Sequence, residues 1–226
     1  MRKYLFTALL CSLTQLAIAA LPDVPDAPKT DAKYIIYLHG IGVENYGPGK
    51  ADEDYYGIIK TIEGRGFTVI SEVRRAAFIM GKPSGTKPDE YGRKVAKQVK
   101  TLIEKGVPPE NITVVGYSKG GVITLVAAAD ADNAKVNYVI MAGCFQKSKE
   151  KYDEYAENIA PKMKGRILSM YDAADPNFGT CQDFFSTAGD KVSGKEIKFE
   201  TGQGHALFRK PVDSWINPLV DWANGK

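Results

Sequence analysis

Residues 116–120 read Gly-Tyr-Ser-Lys-Gly. They follow the apolar run Ile112-Thr-Val-Val115 and precede the helix-like run Gly121-Val-Ile-Thr-Leu-Val-Ala-Ala-Ala129. A serine between two glycines at a strand-to-helix turn has its hydroxyl lifted clear of the backbone, where a base can reach it. Serine is a weak nucleophile at its own pKa and needs that base. The chemistry such a serine performs is acyl transfer. The pentapeptide alone is weak evidence, because glycine fills 22 of the 226 positions. Its setting, strand before and helix after, gives it weight.

The chain has two histidines, His39 and His205, and a general base for Ser118 is one of them unless a lysine serves. His205 closes Gly202-Gln-Gly-His205, just after the last predicted strand, where glycines let the imidazole swing toward the serine. It is the expected base. The acid that orients it belongs between Ser118 and His205, in Ser169-Met-Tyr-Asp-Ala-Ala-Asp-Pro176. Its work is to fix the imidazole tautomer and stabilise the imidazolium. Asp175, three residues beyond the strand end, is preferred. Asp172 is the alternative, otherwise a turn or capping residue.

His39-Gly40 follows the first predicted strand and opens a turn whose backbone N–H groups can face a substrate oxygen. The N–H groups of Ile41 and Lys119 are the expected oxyanion donors, each worth roughly 3–4 kcal/mol. His39 itself is expected to hold the loop by side-chain hydrogen bonds. The Lys119 ammonium is expected to face solvent or the pocket rim, since adjacent helix side chains diverge. Tyr46, Tyr55 and Tyr56 lie close enough in sequence to line an acyl or aromatic pocket. No His/Cys/Asp/Glu cluster has metal-ligand spacing, and Gly40 and Gly42 lack the later glycine of a phosphate loop. No metal or cofactor is expected.

The elements that must carry these residues alternate. Predicted strands are Tyr34–Leu38, Phe67–Ile70, Ile112–Val115, Val136–Met141, Ile167–Tyr171 and Ile197–Glu200. Helices are expected over Asp52–Gly64 and Pro88–Lys105, and after Ser118, Gln146 and Pro211. Asn217-Pro218 suits an N-cap and first helical position, which would divide the last segment into two short helices. Short apolar strands alternating with helices imply a parallel sheet covered on both faces, a three-layer α/β/α sandwich of about six strands. His39, Ser118, Asp172, Asp175 and His205 then all fall beyond the carboxyl ends of strands, where ligands of such sheets gather.

The start of the chain is different. Arg2 and Lys3 precede the uncharged, mainly apolar run Tyr4–Ile18, and Ala17-Ile-Ala19 fits a small-residue cleavage site. Residues 1–19 read as a signal peptide, 20–32 as an extended lead-in and 33–226 as one domain. The protein is expected to be exported, periplasmic or secreted, with no membrane span after cleavage. Cleavage removes two cations and no acids, lowering the formal net charge from +3 by two. The basic balance therefore does not point to nucleic acid, and no basic patch with interleaved aromatics does either. Hydrophobic residues make up 44% and charged residues 25%, ordinary for a globular chain. Two cysteines remain, Cys144 and Cys181. Both fall at the same edge of the sheet, and an even count in an exported protein permits a disulfide. Two buried thiols are the alternative.

Tyr37-Leu-His-Gly-Ile-Gly42, Gly116–Gly120, Asp172-Ala-Ala-Asp-Pro176 and Gly202-Gln-Gly-His205 together resemble the α/β-hydrolase fold family. The resemblance runs from Lys33 to the C-terminus. It is nearest to small uncapped members similar to carboxylesterases, acyl-protein thioesterases and dienelactone-hydrolase-like proteins. By that resemblance the four segments supply oxyanion loop, nucleophile, acid and base. Three features differ from typical members. The stretch before the first strand is too short for the usual two leading strands. Asp172 stands where glycine is common. Gly143–Lys164 has room for one helix and no cap domain, which implies an open site. The expected activity is hydrolysis of an ester or thioester in a small-molecule or acyl substrate. A peptidase or amidase on the same residues is the enzyme alternative. A non-catalytic envelope or binding protein with this fold is the other.

Overall fold

Six strands form one parallel sheet; the inner ones are buried along almost their whole length because both faces are covered, whereas the last, at one edge, has no buried residue. They are β1 (Tyr34–Leu38), β2 (Thr68–Ile70), β3 (Ile112–Tyr117), β4 (Asn137–Met141), β5 (Gly165–Asp172) and β6 (Val192–Phe199). Their spatial order is β6-β5-β4-β3-β1-β2, with every pairing parallel. The computed structural model describes residues 20–79, 82–145 and 149–226. The leader expected over residues 1–19 and the helix start expected at Gln146 lie outside them.

Side chains alternate across a strand, so each strand feeds two cores. Tyr34, Ile36 and Leu38 face α3 (Pro88–Glu104) and α4 (Lys119–Asp130), packing with Val95, Leu102 and Ile123. Ile35 and Tyr37 face the other way, toward Ile58 and Ile62 of α2 (Tyr55–Gly64) and Trp215 and Leu219 of α7 (Asp213–Ala223). This is the expected three-layer sandwich. Between α4 and β5 the described residues hold one α-helix, α5 (Lys149–Asn158), and no cap domain.

Four local expectations change. A short helix, α1 (Ile41–Tyr46), follows His39-Gly40, and α6 (Gln182–Ala188) follows Cys181; neither was expected. The last segment is one helix with Pro218 inside it rather than two. Proline there removes one helical hydrogen bond, a cost of about 3 kcal/mol. Burying Trp215, Ile216, Leu219 and Trp222 on one face contributes roughly 1.5–3 kcal/mol per side chain and outweighs that loss. The lead-in is not free of structure either. Leu21 bridges to Ile70 in the parallel sense, its N–H donating to the Val69 carbonyl and its own carbonyl accepting from Ser71. That contact covers part of the open edge of β2, whose unpaired groups would otherwise invite another strand.

Cys144 and Cys181 are joined by a disulfide, Cα–Cα 5.4 Å. The short strand Cys144–Phe145 also pairs antiparallel with Phe178–Gly179. Together they tie the loop after β4 to the loop after β5, which carries Asp175. Among the described residues, no helix is long and apolar enough to cross a membrane.

Candidate active site

Ser118 lies between the end of β3 and the first residue of α4, with φ 55° and ψ −119°. A non-glycine residue at positive φ is strained, at a cost of roughly 1–3 kcal/mol, and needs surroundings that enforce it. Here the Ser118 N–H donates to the Met141 carbonyl at 2.8 Å, and the Val122 N–H donates to the Ser118 carbonyl at 3.1 Å. The flanking glycines allow the turn to close. A Cβ on Gly120 would stand 1.9 Å from the Leu38 carbonyl oxygen, and one on Gly116 would stand 2.1 Å from the Gly120 carbonyl oxygen. Neither position admits a side chain without displacing backbone.

The Ser118 Oγ is 2.9 Å from His205 Nε2. His205 Nδ1 is 2.6 Å from Asp175 Oδ2. The other Asp175 oxygen accepts the N–H groups of Asn177 at 2.9 Å and Phe178 at 3.2 Å. His205 rides on a 3₁₀ turn, Gly204–Arg209. Phe178 stacks on its ring, with centroids 4.9 Å apart, and the Tyr117 hydroxyl donates to its carbonyl at 2.9 Å. Burial pushes the Tyr117 phenol up to about 12, so it remains a donor.

Asp172 does not reach His205. Its Oδ1 accepts from the N–H groups of Ala174 and Gly204, and its Oδ2 from the Thr201 N–H and hydroxyl. It thereby builds the loop that delivers His205. Burial works against its charge, but the Thr201 hydroxyl and the three backbone amides outweigh burial and hold the carboxyl below its ordinary value.

His39 is fully buried and turned away from Ser118. Its Nδ1 donates to the Gly40 carbonyl at 2.8 Å, and its Nε2 accepts the Arg74 N–H at 2.9 Å. Burial first, then the Arg74 guanidinium, push its pKa down from 6.5 to about 3. Between those two values the unfolded chain binds a proton at His39 that the folded chain does not. Stability due to His39 is therefore complete above pH 6.5 and is lost as the pH falls toward 3, by up to about 1.4 kcal/mol per pH unit. Thermal melts of wild type and His39→Asn should converge as the pH is lowered from 7 to 5. A gap that stays constant over that window would refute this account.

Ile41 and Lys119 are the first residues of α1 and α4, so their N–H groups have no acceptor within their own helices. Ile41 lines both clefts that meet at Ser118 and His205, and Lys119 lines one of them. One cleft, about 580 Å³, is walled by Pro88, Val122, Phe145, Tyr155 and Phe178. The other, about 380 Å³, is lined by Tyr46 and by the charged residues Lys50, Asp52, Glu53 and Arg209. Tyr55 is buried and hydrogen-bonds Ser71, and Tyr56 is exposed; neither lines a cleft.

The Lys119 side chain narrows an expectation. It lines one cleft but does not face open solvent: its ammonium bonds Glu44 Oε1 at 2.7 Å and the side chain is 14% exposed. Glu44, Glu53 and Arg74 were not found by sequence reasoning. Glu53 is buried against the Tyr37 hydroxyl at 2.7 Å and the Gly40 N–H at 2.8 Å. Burial raises its pKa, and those two hydrogen bonds pull it back only in part. Among the described residues, no group of three or more His, Cys, Asp or Glu is arranged to hold a metal ion.

Residues 86–178 match the phospholipase/carboxylesterase family of α/β hydrolases. No curated protein sequence matches the chain. Solved structures do. A truncated carbohydrate esterase from gut microbiota is similar at TM-score 0.56 and 15% identity, over 89% of this chain and 88% of that one. Arabidopsis thaliana SOBER1 is similar at 0.54 and 16%, over 86% and 98%. Carboxylesterase CesB (YbfK) from Bacillus subtilis is similar at 0.53 and 14%, over 88% and 86%. At these identities the likeness is one of fold. The strand order, the lack of a cap domain among the described residues and these neighbours agree, and the chain has the α/β-hydrolase fold.

Proposed function

We propose that the protein is an exported serine hydrolase that cleaves an ester or thioester through an acyl-enzyme on Ser118. The observation that carries this reading is the unbroken chain from Ser118 Oγ to His205 to Asp175, at 2.9 and 2.6 Å, where two clefts meet. Ser118 attacks the substrate carbonyl carbon while His205 Nε2 takes the hydroxyl proton. Asp175 keeps the imidazole in the required tautomer and stabilises its protonated form. The N–H groups of Ile41 and Lys119 receive the oxyanion. Collapse expels an alcohol or thiol, which takes the proton from His205. Water, deprotonated by His205, then releases the acid and restores Ser118. The match of residues 86–178 to the phospholipase/carboxylesterase family favours esters over amides. The disulfide and the leader pattern support an oxidising compartment.

The test uses mature protein, a fluorophosphonate probe, and a panel of esters, thioesters and anilides. One adduct per chain is expected, on Ser118, with turnover of oxygen or sulfur esters. No adduct on the wild type would sink the serine-hydrolase reading. Anilides turned over faster than esters would move it to a peptidase or amidase.

A further inference from the structure

A buried anion, Glu44, and a buried cation, Arg74, lie near the nucleophile without touching it, and the mostly covered Lys119 ammonium joins them. Glu44, on α1, has a fully buried side chain. Its Oε1 accepts from Lys119 Nζ at 2.7 Å and from the Thr86 N–H at 2.6 Å. Its Oε2 accepts from Arg74 Nε and the Thr86 hydroxyl at 3.3 and 3.2 Å. Arg74 in turn donates to the His39 carbonyl. Both ends of the Glu44–Lys119 contact belong to elements of the oxyanion machinery proposed above. Lys119 carries one N–H donor on its own backbone. Glu44 lies one helical turn beyond Ile41, which carries the other.

A buried ion pair is weak evidence for stability, because its desolvation cost commonly cancels its Coulomb gain. A well-packed apolar pair would hold α1 against α4 at no such cost. What the charged pair adds is direction: a 2.7 Å contact that fixes one backbone relative to another. The elbow is already anchored by the bond from the Ser118 N–H to the Met141 carbonyl. The Gly40–Ile41 turn has less: the Gly40 N–H bond to Glu53, and His39 behind it.

We propose that Glu44 is a positioning residue for the oxyanion site, its contact with Lys119 setting the Gly40–Ile41 turn against the elbow so that the two N–H donors converge on one oxygen. The inference rests on the acyl-transfer reading. Glu44 does not meet the substrate, so its loss acts on the transition state and leaves ground-state binding alone.

The experiment is a double-mutant cycle of Glu44→Gln and Lys119→Met, assayed on the best ester with active sites counted by fluorophosphonate titration. Each single change should lower kcat roughly 10- to 100-fold, the range expected when a donor is misplaced rather than removed, with KM within about three-fold. The double variant should lose about as much as either single one, since the pair acts as a unit. An aryl boronic acid, whose adduct on Ser118 puts a negative oxygen in the oxyanion site, should bind more weakly by a similar factor. Unchanged kcat per titrated site, a rise in KM alone, additive losses or unchanged boronate affinity would each overturn the proposal. If Glu44→Gln does not fold, Lys119→Met decides on kcat and boronate affinity, its side chain being the less buried of the two. Loss of any adduct on wild type would remove the parent reading instead; full activity in the variants of a labelled enzyme removes only this one.

Discussion

Ser118→Ala is expected to lower kcat about 10⁶-fold while leaving the protein folded. The two halves of this expectation come from different parts of the geometry. Alanine keeps the Cβ that serine already carries at φ 55°, so the strain of the turn is unchanged. The backbone bonds that hold the turn, to Met141 and from Val122, use only main-chain atoms. Only Oγ is removed, and with it the one hydroxyl within 2.9 Å of His205 Nε2. His205, Asp175 and the two N–H donors remain, so the residue of activity is the hydrolysis that an oxyanion site and a bound substrate still promote, roughly 10³–10⁴ over water. The measurement is kcat by steady-state assay at saturating ester, with a thermal melt beside it. A variant that kept within about ten-fold of wild-type kcat, or that kept the fluorophosphonate adduct, would show that another group attacks the carbonyl. A collapsed melting temperature would show that Oγ holds the elbow together, contrary to the backbone account.

Most of what the site needs could be read from the residues, for a physical reason. A sheet covered on both faces demands continuous apolar runs, and Tyr34–Leu38 and Ile112–Tyr117 are buried at every position. Such runs stand out against helices with one apolar stripe, so the order of elements was legible. With the order known, Ser118, Asp175 and His205 had to fall at one edge of the sheet. The backbone signals were legible too, because Gly116 and Gly120 are required by contacts of about 2 Å that no other residue could survive.

What was not legible is what depends on burial of single polar residues. Glu44 and Lys119 look like any acid and base on helix faces, and only their contact with each other and with Arg74 and Thr86, distant in sequence, takes them largely out of water. Glu53 sits in a helix-like segment rich in acids, and nothing in the pattern separates it from exposed Asp52 and Asp54. Pro218 was misread because a local stop signal was weighed without the apolar face of Trp215, Ile216, Leu219 and Trp222 that holds the helix through it. The bridge of Leu21 to Ile70 could not be read, because edge pairing depends on a strand distant in sequence. In each case the deciding term is tertiary, and a period or a propensity cannot report it.

The sharpest of the remaining choices separates two aspartates three residues apart. Asp175→Asn is expected to lower kcat about 10⁴-fold with little loss of stability, and Asp172→Asn to do the reverse. Asparagine at 175 has one acceptor oxygen and one amide nitrogen. The oxygen must stay where Oδ1 now is, because the N–H groups of Asn177 and Phe178 both donate to it. The amide NH₂ then faces His205 Nδ1 and donates to it. Nδ1 becomes the acceptor, the ring proton moves to Nε2, and Nε2 can no longer take the proton of Ser118. The geometry survives and the tautomer is wrong. At 172 both oxygens are acceptors for donors that cannot turn round: Ala174 and Gly204 on one side, Thr201 on the other. An asparagine must point its NH₂ at one of them, leaving a buried N–H unmatched at a cost of about 1–3 kcal/mol. Each molecule that still folds keeps Asp175 on His205, so kcat per titrated site should stay within about ten-fold of wild type. The check is kcat normalised to active sites for both variants, set against their melting temperatures. If Asp172→Asn silences the titrated enzyme and Asp175→Asn does not, the 2.6 Å contact to His205 is incidental and the acid has been assigned to the wrong residue.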